Sequence, residues 1–444
     1  MEINELYKLY QKYSKISTDS RKIEENSIFF ALKGEKFDGN TYALQALQQG
    51  AAYCIIDNKQ YATDSRCILV HNVLTTLQQL ANRHRKELRI SILAITGTNG
   101  KTTTKELVTA VLKKKYKVHS TTGNLNNHIG VPLTLLSMPL DTEFGVIEMG
   151  ANHKEEIAKL CKIAEPDYGV ITNVGRAHLE GFGSFYGVIQ AKGELYEYIN
   201  ENDGTIILNQ DNDNLRDMAA KLENINKVTY GSHPPASCVG RLVSANPFLQ
   251  VEWFVRASGK SGETHAIVAK TNLIGSYNFE NVMAAVCVGK LFSIDPLKIV
   301  EAIENYSPDM NRSQLKKTDK NTVIIDCYNA NPTSMTMAIQ NFAEISAANK
   351  LLIIGDMLEL GKDTQPEHLK IIKLLQDTHL LSNTLFVGAI FLSIINETQP
   401  TINQQVFANT ELCKVSLLKA NYSEHSILLK ASRGIGLEKL IEIL

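Results

Sequence analysis

Short apolar runs alternate with segments of helical periodicity along most of the chain, and this alternation predicts a parallel α/β fold. The clearest case begins at residues 90–95, where an apolar, β-branched run predicts a buried strand. Glycines follow at positions 97 and 100, and the pattern over 101–112 predicts a helix. Further strands are predicted at 144–150, 168–174, 322–326, 351–356, 384–388 and 426–430. We therefore expect mainly parallel sheets flanked by helices.

Changes in this pattern divide the chain into three predicted domains. Residues 1–88 form a small N-terminal α/β domain with a helical stretch over 41–49. Residues 89–307 form a central domain with a parallel sheet and a small β addition over 204–271. Residues 308–444 alternate strands and helices as a Rossmann-like domain does. A chain of 444 residues is also too long for a single hydrophobic core.

The composition is that of an ordinary globular protein and excludes several functional classes. A formal net charge of −1 gives no basic field for nucleic acid. No apolar run approaches the roughly 20 residues that a membrane helix needs, and the acidic N-terminus is unlike a secretory signal. The seven cysteines are scattered without a C-x-x-C pair, which favours reduced, buried thiols. We expect a cytoplasmic monomer with no nucleic-acid partner and no membrane span.

The segment that joins the first of these strands to its helix carries the strongest chemical signal. It places backbone N–H groups and the positive end of a helix dipole where phosphates bind. Lys101 would reach the terminal phosphates, and the Thr102 hydroxyl would hold Mg²⁺. Ile95 stands where the common G-x-x-x-x-G-K-[ST] pattern has its first glycine, so an ordinary strand-to-helix turn is the alternative. We predict a P-loop ATPase-like central sheet whose nucleotide phosphates contact Gly97, Thr98, Asn99, Gly100, Lys101, Thr102 and Thr103.

Three ionisable side chains in the central domain are candidates for the same site. Glu148 lies near the carboxyl end of an apolar strand, where a Mg²⁺ ligand is favoured over a buried salt bridge. His178 follows the strand at 168–174 and could face the same site, although a lone histidine is more often structural. Lys192 lies mid-helix, and the residues alone favour a surface lysine whose stem packs along the helix.

Other polar side chains are weaker candidates for ligand contacts. The loop at 121–132 could hydrogen-bond a polar ligand or could simply form Asx turns; its candidates are Asn124, Asn126 and Asn127. Asn278 and Asn281 share a helical face and could contact adenine, but a helix cap plus a surface residue is more common. Ser20 and Arg21 could clamp a diphosphate or could belong to a solvated loop.

The predicted Rossmann-like domain adds polar groups at its strand ends. Asp326 ends one strand and could accept hydrogen bonds from ribose hydroxyls. Another strand ends in a short basic segment that could hold a carboxylate, with Lys430, Ser432 and Arg433 as the candidates.

Taken in order, these motifs resemble those of the Mur ligases. The resemblance extends over nearly the whole chain, and the ordered set is more specific than any single motif. The matching segments are Thr96-Gly-Thr-Asn-Gly-Lys-Thr-Thr, Ile147-Glu-Met-Gly-Ala-Asn, Ala177-His-Leu-Glu-Gly, Ala191-Lys-Gly-Glu and Asp326-Cys-Tyr-Asn-Ala-Asn-Pro-Thr-Ser. Segments 123–132 and 355–361 are most similar to the member of the family that adds a dipeptide.

The resemblance implies an ATP-dependent amide ligase of peptidoglycan precursor synthesis. ATP would phosphorylate the terminal carboxylate of UDP-N-acetylmuramoyl-tripeptide, and the amine of D-Ala-D-Ala would attack the acyl phosphate. Lys101 and Thr102 would hold phosphates and one Mg²⁺, while Glu148 and His178 match metal ligands of the family. Lys192 matches the lysine that the family carbamylates to serve a second Mg²⁺ site. The resemblance therefore implies a lysine within the active site, not the surface lysine that the residues alone favour.

The resemblance also assigns the flanking domains. Asn278 and Asn281 would contact adenine, Arg312 and Asp326 would reach ATP from the third domain, and the first domain would hold the uridine diphosphate. The chain departs from the family pattern at Tyr277, where histidine is common, and at Asn26 and Ala431, where glycine is common. The alternatives are another Mur ligase that adds one amino acid, a folylpolyglutamate synthetase-like ligase, or a non-catalytic nucleotide-binding module.

Overall fold

The computed structural model describes residues 1–256, 264–309, 311–398 and 405–444. The chain folds into three consecutive α/β units, and each is built on its own principal sheet. No described helix combines the length and the apolar character that crossing a membrane requires. The seven cysteines are free thiols, and six of them are buried.

The N-terminal unit is a four-stranded parallel sheet in the order β1-β2-β5-β6, accompanied by a β3–β4 hairpin. Alternate residues of β2 enter different cores: Ile28 and Phe30 face α1 and α3, while Phe29 packs with α2. Its elements are α1 (Ile3–Lys12), β1 (Lys15–Ser17), β2 (Ser27–Phe30), β3 (Lys33–Gly34), β4 (Phe37–Asp38), α2 (Ala43–Gln48), β5 (Tyr53–Ile56), β6 (Cys67–Leu69) and α3 (Val73–Leu88).

The central unit is a nine-stranded sheet in the order β15-β14-β13-β12-β11-β10-β7-β9-β8. Its strands are β7 (Ser91–Thr96), β8 (Val118–Ser120), β9 (Phe144–Glu148), β10 (Tyr168–Ile171), β11 (Thr205–Asn209), β12 (Asn226–Gly231), β13 (Cys238–Ser244), β14 (Phe248–Arg256) and β15 (Thr264–Ile274). Its helices are α4 (Lys101–Leu112), α5 (Gly130–Leu136), α6 (Glu156–Ala164), α7 (Leu179–Phe182), α8 (Phe185–Glu201), α9 (Asp213–Ala220), α10 (Asn278–Leu291) and α11 (Pro296–Asn305).

The β addition differs from the expectation in extent and in connection. The strands β11 and β12 belong to the parallel part of the central sheet rather than to a separate addition. The addition consists of β13, β14 and β15, which pair antiparallel and continue the same sheet, because β13 pairs with β12. The sequence did not predict β13. Only Cys238 and Gly240 of its seven residues are buried, so its hydrophobic alternation is weak.

The C-terminal unit is a six-stranded sheet in the order β16-β17-β21-β18-β19-β20, parallel except for β16. Apolar cores cover both faces of this sheet, as in other doubly wound folds. Its elements are β16 (Gln314–Lys317), β17 (Thr322–Asp326), α12 (Pro332–Glu344), β18 (Lys350–Gly355), α13 (Thr364–Asp377), β19 (Thr384–Val387), α14 (Ala389–Thr398), β20 (Val406–Phe407), α15 (Thr410–Ala420) and β21 (Ser426–Lys430). The expected three-domain α/β fold is confirmed; the boundaries at 88 and 307 stay predictions.

Buried contacts fix the outer units to the central one. On the N-terminal side, His84 of α3 lies 3.0 Å from the Met138 carbonyl oxygen and 3.1 Å from the Tyr7 hydroxyl. On the C-terminal side, Ile274 at the end of β15 packs into the core of the third unit, with Phe248 beside it. The third unit is therefore docked directly before α10.

Candidate active site at the strand ends

A cavity of about 800 Å³ lies at the carboxyl ends of the central parallel strands and extends to the third unit. This is the position at which open α/β sheets bind their ligands, and the volume is typical of a small-molecule site. The central unit contributes the phosphate loop, the end of β9, the loop before α5, and the start of α10. The third unit contributes Arg312, Ser313, Asp326, Tyr328, Asn329, Asn331, Ser334, Met337 and Lys430.

The phosphate loop depends on two glycines in the left-handed region. Gly97 has φ +143°, and a Cβ there would lie 2.0 Å from the Thr172 hydroxyl oxygen. Gly100 has φ +78°, and a Cβ there would lie 2.5 Å from Asn281 Oδ1. Lys101 Nζ donates to the carbonyl oxygens of Gly97 at 2.8 Å and Thr98 at 3.0 Å. Burial lowers the pKa of Lys101, while the nearby Glu148 charge acts in the opposite direction.

Glu148 is the last residue of β9 and is only 1% exposed. Its carboxylate accepts hydrogen bonds from Thr102 Oγ1 at 2.9 Å and from Asn126 Nδ2 at 2.8 Å. Both donors are neutral, and no salt bridge to Glu148 is found among the described residues. The buried-salt-bridge alternative is therefore wrong, and an anionic carboxylate stands beside the phosphate loop where a cation would stabilise it.

His178 stands at the N-terminal cap of α7 with φ +49° and lines the cavity. Its Nδ1 lies 2.5 Å from an Oε2 atom of Glu359, which belongs to the third unit. A histidine that donates from Nδ1 to a carboxylate keeps Nε2 as an acceptor, which is the form that binds metals. Burial lowers the pKa of His178, the Glu359 carboxylate acts in the opposite direction, and the charges of Lys101 and Lys192 lower this pKa further.

Lys192 on α8 is 3% exposed and lines the cavity, so the interpretation as a surface lysine is wrong. Its Nζ has one long hydrogen bond, 3.5 Å to the Ala151 carbonyl oxygen, and lies 5.4 Å from the Phe182 ring centroid. Burial, together with the Lys101 charge, lowers the pKa of Lys192 to about 7. A buried amine with this pKa is partly neutral at physiological pH and can act as a nucleophile.

These groups offer oxygen and nitrogen ligands, but they do not form a conventional carboxylate cage. Among the described residues, no three side chains of His, Cys, Asp or Glu are grouped closely enough to hold a metal ion. Thr102 and Glu148 supply the hard oxygen ligands that Mg²⁺ prefers, and His178 supplies one nitrogen. An unmodified Lys192 supplies a cation or a neutral amine and no anionic oxygen, so a second metal would need another anionic ligand there.

Asn278 and Asn281 line the cavity but are largely engaged within the protein. Asn281 Oδ1 accepts a hydrogen bond from Thr104 Oγ1 at 3.0 Å, and its Nδ2 donates to Asn278 Oδ1 at 2.8 Å. Asn278 Nδ2 in turn donates to the Ile274 carbonyl oxygen at 2.8 Å. The pair thus ties α10 to the helix of the phosphate loop, and contact with adenine stays a prediction.

The third unit presents three charged side chains to the cavity: Arg312, Asp326 and Lys430. The guanidinium of Arg312 stacks 3.7 Å from the ring centroid of Tyr328. Asp326 is paired with Lys430 at 2.8 Å, and Lys430 Nζ also donates to the Asn329 carbonyl oxygen at 2.9 Å. Asp326 and Lys430 therefore reach the cavity as an ion pair.

The predicted substrate residues divide into two groups. Asn124, Asn126 and Asn127 line the cavity, although Asn127 also forms the Asx turn at the start of α5 through Gly130 N at 2.9 Å. Ser432 does not line it: its buried hydroxyl donates to the Ala330 carbonyl oxygen and accepts from Leu358 N.

Three other predicted substrate residues also lie outside the cavity. The guanidinium of Arg433 lies 5.2 Å from the Tyr328 ring centroid, and Arg433 is not among the residues that line the cavity. Ser20 and Arg21 lie in the N-terminal unit, where the exposed Arg21 guanidinium pairs with Asp19 at 2.8 Å. Their role in binding the nucleotide end of a substrate stays a prediction.

Several site residues were not selected from the sequence. Asn173 follows β10, and its Oδ1 accepts a hydrogen bond from the Asn99 backbone N–H at 3.0 Å. Its position directly after a buried strand is the sequence feature that indicates such a role. Asn331 precedes Pro332 and caps α12, a recognisable helix start. Tyr328 and Glu359 lie in loops within segments 326–334 and 355–361, which resemble the family, but their own contacts arise only because the third unit docks on the central one.

Comparison with known proteins gives matches along nearly the whole chain. Three family models match: "Mur ligase family, catalytic domain" at residues 12–87, "Mur ligase middle domain" at 95–289 and "Mur ligase, glutamate ligase domain" at 311–393. The UDP-N-acetylmuramoyl-tripeptide--D-alanyl-D-alanine ligase of Bacillus subtilis is 39% identical over 78% of this chain and 74% of its own. The ligase of the same name from Escherichia coli is 30% identical over 97% and 93%, respectively. A crystal structure of MurF from Acinetobacter baumannii superposes with a TM-score of 0.83 at 26% identity, covering 98% of this chain and 97% of that one.

Proposed function

The chain belongs to the Mur ligase family, and we propose that it joins D-alanyl-D-alanine to UDP-N-acetylmuramoyl-tripeptide with hydrolysis of ATP. The observation that carries the proposal is one cavity shared by a phosphate loop, a buried carboxylate and a buried lysine. A binding module would need the phosphate loop alone. The added ionisable groups, Glu148, His178 and Lys192, are those expected where a carboxylate is activated by phosphoryl transfer.

Amide formation would proceed in two balanced steps. A carboxylate oxygen of the tripeptide attacks the γ-phosphorus of ATP, ADP leaves, and an acyl phosphate forms. The amine nitrogen of D-alanyl-D-alanine then attacks the carbonyl carbon, the tetrahedral intermediate expels phosphate, and the nitrogen loses its proton. Phosphate is a much better leaving group than hydroxide, so the protein mainly has to position the reactants and neutralise charge.

The residues of this chain supply that positioning from both sides of the cavity. Lys101 would transfer its hydrogen bonds from the Gly97 and Thr98 carbonyl oxygens to the terminal phosphates. Arg312 would approach the same phosphates from the third unit, where Tyr328 holds its guanidinium flat. Domain docking then excludes water, which would otherwise hydrolyse the acyl phosphate.

The ligand set fits Mg²⁺ as the metal. The Thr102 hydroxyl and the Glu148 carboxylate would hold one ion, and His178 with a modified Lys192 would hold a second. Bound Mg²⁺ would neutralise the phosphates that an anionic carboxylate has to approach. Without the metal, the hydrogen bond from Thr102 orients Glu148 beside the loop.

Carbamylation of Lys192 is part of the proposal. The ammonium form would first lose a proton to water; the neutral amine would then attack CO₂, form an N–C bond and lose a second proton, so that a buried cation becomes an anion. Burial of Lys192 and its single 3.5 Å hydrogen bond support this, since the protein does little to stabilise the ammonium form. The carbamate would supply an anionic ligand beside His178, where the described residues form no cluster of three potential metal ligands.

The N-terminal unit would bind the uridine diphosphate end of the acceptor, with Ser20 and Arg21 near the diphosphate. Arg21 would have to exchange its present partner Asp19 for a phosphate, which an exposed ion pair allows at little cost. A monomeric, cytoplasmic enzyme is the form in which we expect this activity.

The decisive experiment measures phosphate release by the purified protein with each substrate omitted in turn. Release should require ATP, Mg²⁺, UDP-N-acetylmuramoyl-tripeptide and D-alanyl-D-alanine together, and Lys101→Met should abolish it. Turnover with a single amino acid in place of the dipeptide would instead identify another Mur ligase. Turnover with a folate and glutamate would identify a folylpolyglutamate synthetase-like enzyme, and tight nucleotide binding without turnover would identify a binding module.

A further inference from the structure

Asn331 of the third unit contacts the phosphate loop of the central unit directly. Its Nδ2 donates to Asn99 Oδ1 at 2.8 Å, across a sequence separation of 232 residues. We propose that Asn331 is a positioning residue, which orients the Asn99 amide so that Asn99 Nδ2 donates to the terminal phosphates of ATP. This inference rests on the proposed function for the identity of the nucleotide.

The orientation of the Asn331 amide is fixed by its own helix. Asn331 Oδ1 accepts a hydrogen bond from Ser334 N at 2.9 Å, and the Ser334 hydroxyl accepts one from Asn331 N at 3.1 Å. This reciprocal arrangement is a capping box at the start of α12. Because the oxygen serves the helix, only the NH₂ group is directed at Asn99, which must therefore present its oxygen.

The backbone of Asn99 is held by the central unit alone. Its N–H donates to Asn173 Oδ1 at 3.0 Å, and its carbonyl oxygen accepts from Thr172 Oγ1 at 2.6 Å and Asn173 Nδ2 at 3.1 Å. The side chain has no such partner among the described residues of the central unit. The third unit thus decides which way the Asn99 amide faces.

The remaining atom of that amide is a donor without a partner. Asn99 Nδ2 is buried and makes no hydrogen bond to any described residue, although Asn99 lines the cavity. A buried donor left unpaired is unfavourable, and an anionic phosphate oxygen would satisfy it with a charge-assisted hydrogen bond. Docking of the third unit would thereby complete the phosphate loop, and by linkage ATP would favour docking.

The test compares two variants that keep the helix cap but lose the donor. Asn331→Asp retains an oxygen for Ser334 N, and Asn331→Ser is another favoured capping residue that is too short to reach Asn99. Thr333→Val is the matched control, because it removes a neighbouring contact between the units, from Arg176 N at 3.2 Å, without touching Asn99. Binding of a non-hydrolysable ATP analogue is measured by calorimetry, together with the melting temperature of each variant.

We expect both Asn331 variants to bind the analogue about tenfold more weakly, because one charge-assisted hydrogen bond is lost. Their melting temperatures should stay close to that of the unaltered protein. Thr333→Val should bind as the unaltered protein does. In the Asn99→Ala background, the uncharged Asn331→Ser should cause no further loss, because Asn331 acts only through Asn99. Unchanged affinity in the Asn331 variants, or additive losses in the double variant, would overturn the proposal. The binding arm uses no acceptor substrate, so it remains informative if the phosphate-release experiment identifies a different ligase.

Discussion

The carbamylation proposal for Lys192 gives the most demanding prediction. An ordinary lysine has a pKa of 10.5, and burial lowers the pKa of Lys192 to about 7. This difference increases the proton dissociation constant roughly 3,000-fold, so at pH 7 about half of the amine is neutral instead of about 0.03%. Only the neutral amine can attack CO₂, so Lys192 should react on the order of a thousand times more readily than an exposed lysine of equal nucleophilicity.

The pH dependence follows from the sign of the shift. Raising the pH through 7 deprotonates Lys192, so at a fixed concentration of dissolved CO₂ carbamate formation should increase about fivefold between pH 6 and pH 7 and level off above pH 8. Enzyme prepared in decarbonated buffer at pH 6 should be inactive. Addition of bicarbonate should restore phosphate release at a rate that follows this profile.

Substitution tests the same idea independently. Lys192→Ala should lower the rate of phosphate release by at least about 100-fold, the usual effect of removing a group that stabilises charge in a transition state. Formate or acetate should restore part of that rate by supplying the missing carboxylate. Lys154→Ala is the matched control, because Lys154 is an exposed lysine whose Nζ donates at 2.7 Å to Gln190, a residue on the same helix as Lys192. Full activity of Lys192→Ala, or a rescue that any salt provides equally, would refute the reasoning.

Three further predictions follow from the site and its supports. Gly97→Ala should weaken ADP binding at least about tenfold, because Gly97 has φ +143° and a Cβ there would lie 2.0 Å from the Thr172 hydroxyl oxygen. Gly123→Ala is its control: Gly123 has φ +59°, but a Cβ there would have nothing within 4 Å, so ADP should bind normally in calorimetry. Glu148→Gln should lower the rate of phosphate release about 100-fold while leaving the melting temperature nearly unchanged, because the amide keeps the size but not the charge. Burial lowers the pKa of His84 below 6.5, so the unfolded chain binds the proton first and folding stability should fall as pH drops from 7.5 to 5.5. In urea titrations, His84→Gln should show a smaller fall.

Each of these predictions has an outcome that contradicts it. Equal ADP affinities of the two glycine variants would mean that the loop does not need its observed backbone. A Glu148→Gln variant with normal turnover would remove the carboxylate from the mechanism. Parallel stability curves for His84→Gln and the unaltered protein would show that this histidine titrates alike in the folded and unfolded states.

The sequence predicted those features that arise from local chemistry. The helix over 101–112 was predicted with the bounds that the structure has, because an apolar strand precedes it and glycines separate the two. The strand at 322–326 and the one at 426–430 were likewise recognisable, since both are short, apolar and buried on both faces. Short-range patterns of this kind are sufficient to identify a doubly wound sheet.

Features that depend on distant contacts could not be read in this way. Lys192 lies on a helix with mixed periodicity, and its burial results from packing against the loop that follows β9. Ser432 follows a strand that points into the cavity, yet its hydroxyl is taken up by loops from elsewhere in the third unit. The contacts of Asn331 and Glu359 exist only because two units meet, and no local pattern encodes that meeting.

The position of Ile274 determines how the third unit can move. This side chain is buried in the core of the third unit, while its carbonyl oxygen anchors Asn278 at the start of α10. A rotation that preserves this apolar contact has its hinge there, so the α10 side of the cavity would shift least. Asn331 and Glu359, which contact the central unit, would separate from it in such a rotation. Opening would then break the hydrogen bond that holds the Asn99 side chain and the ion pair of His178, so that one movement would loosen both sides of the site.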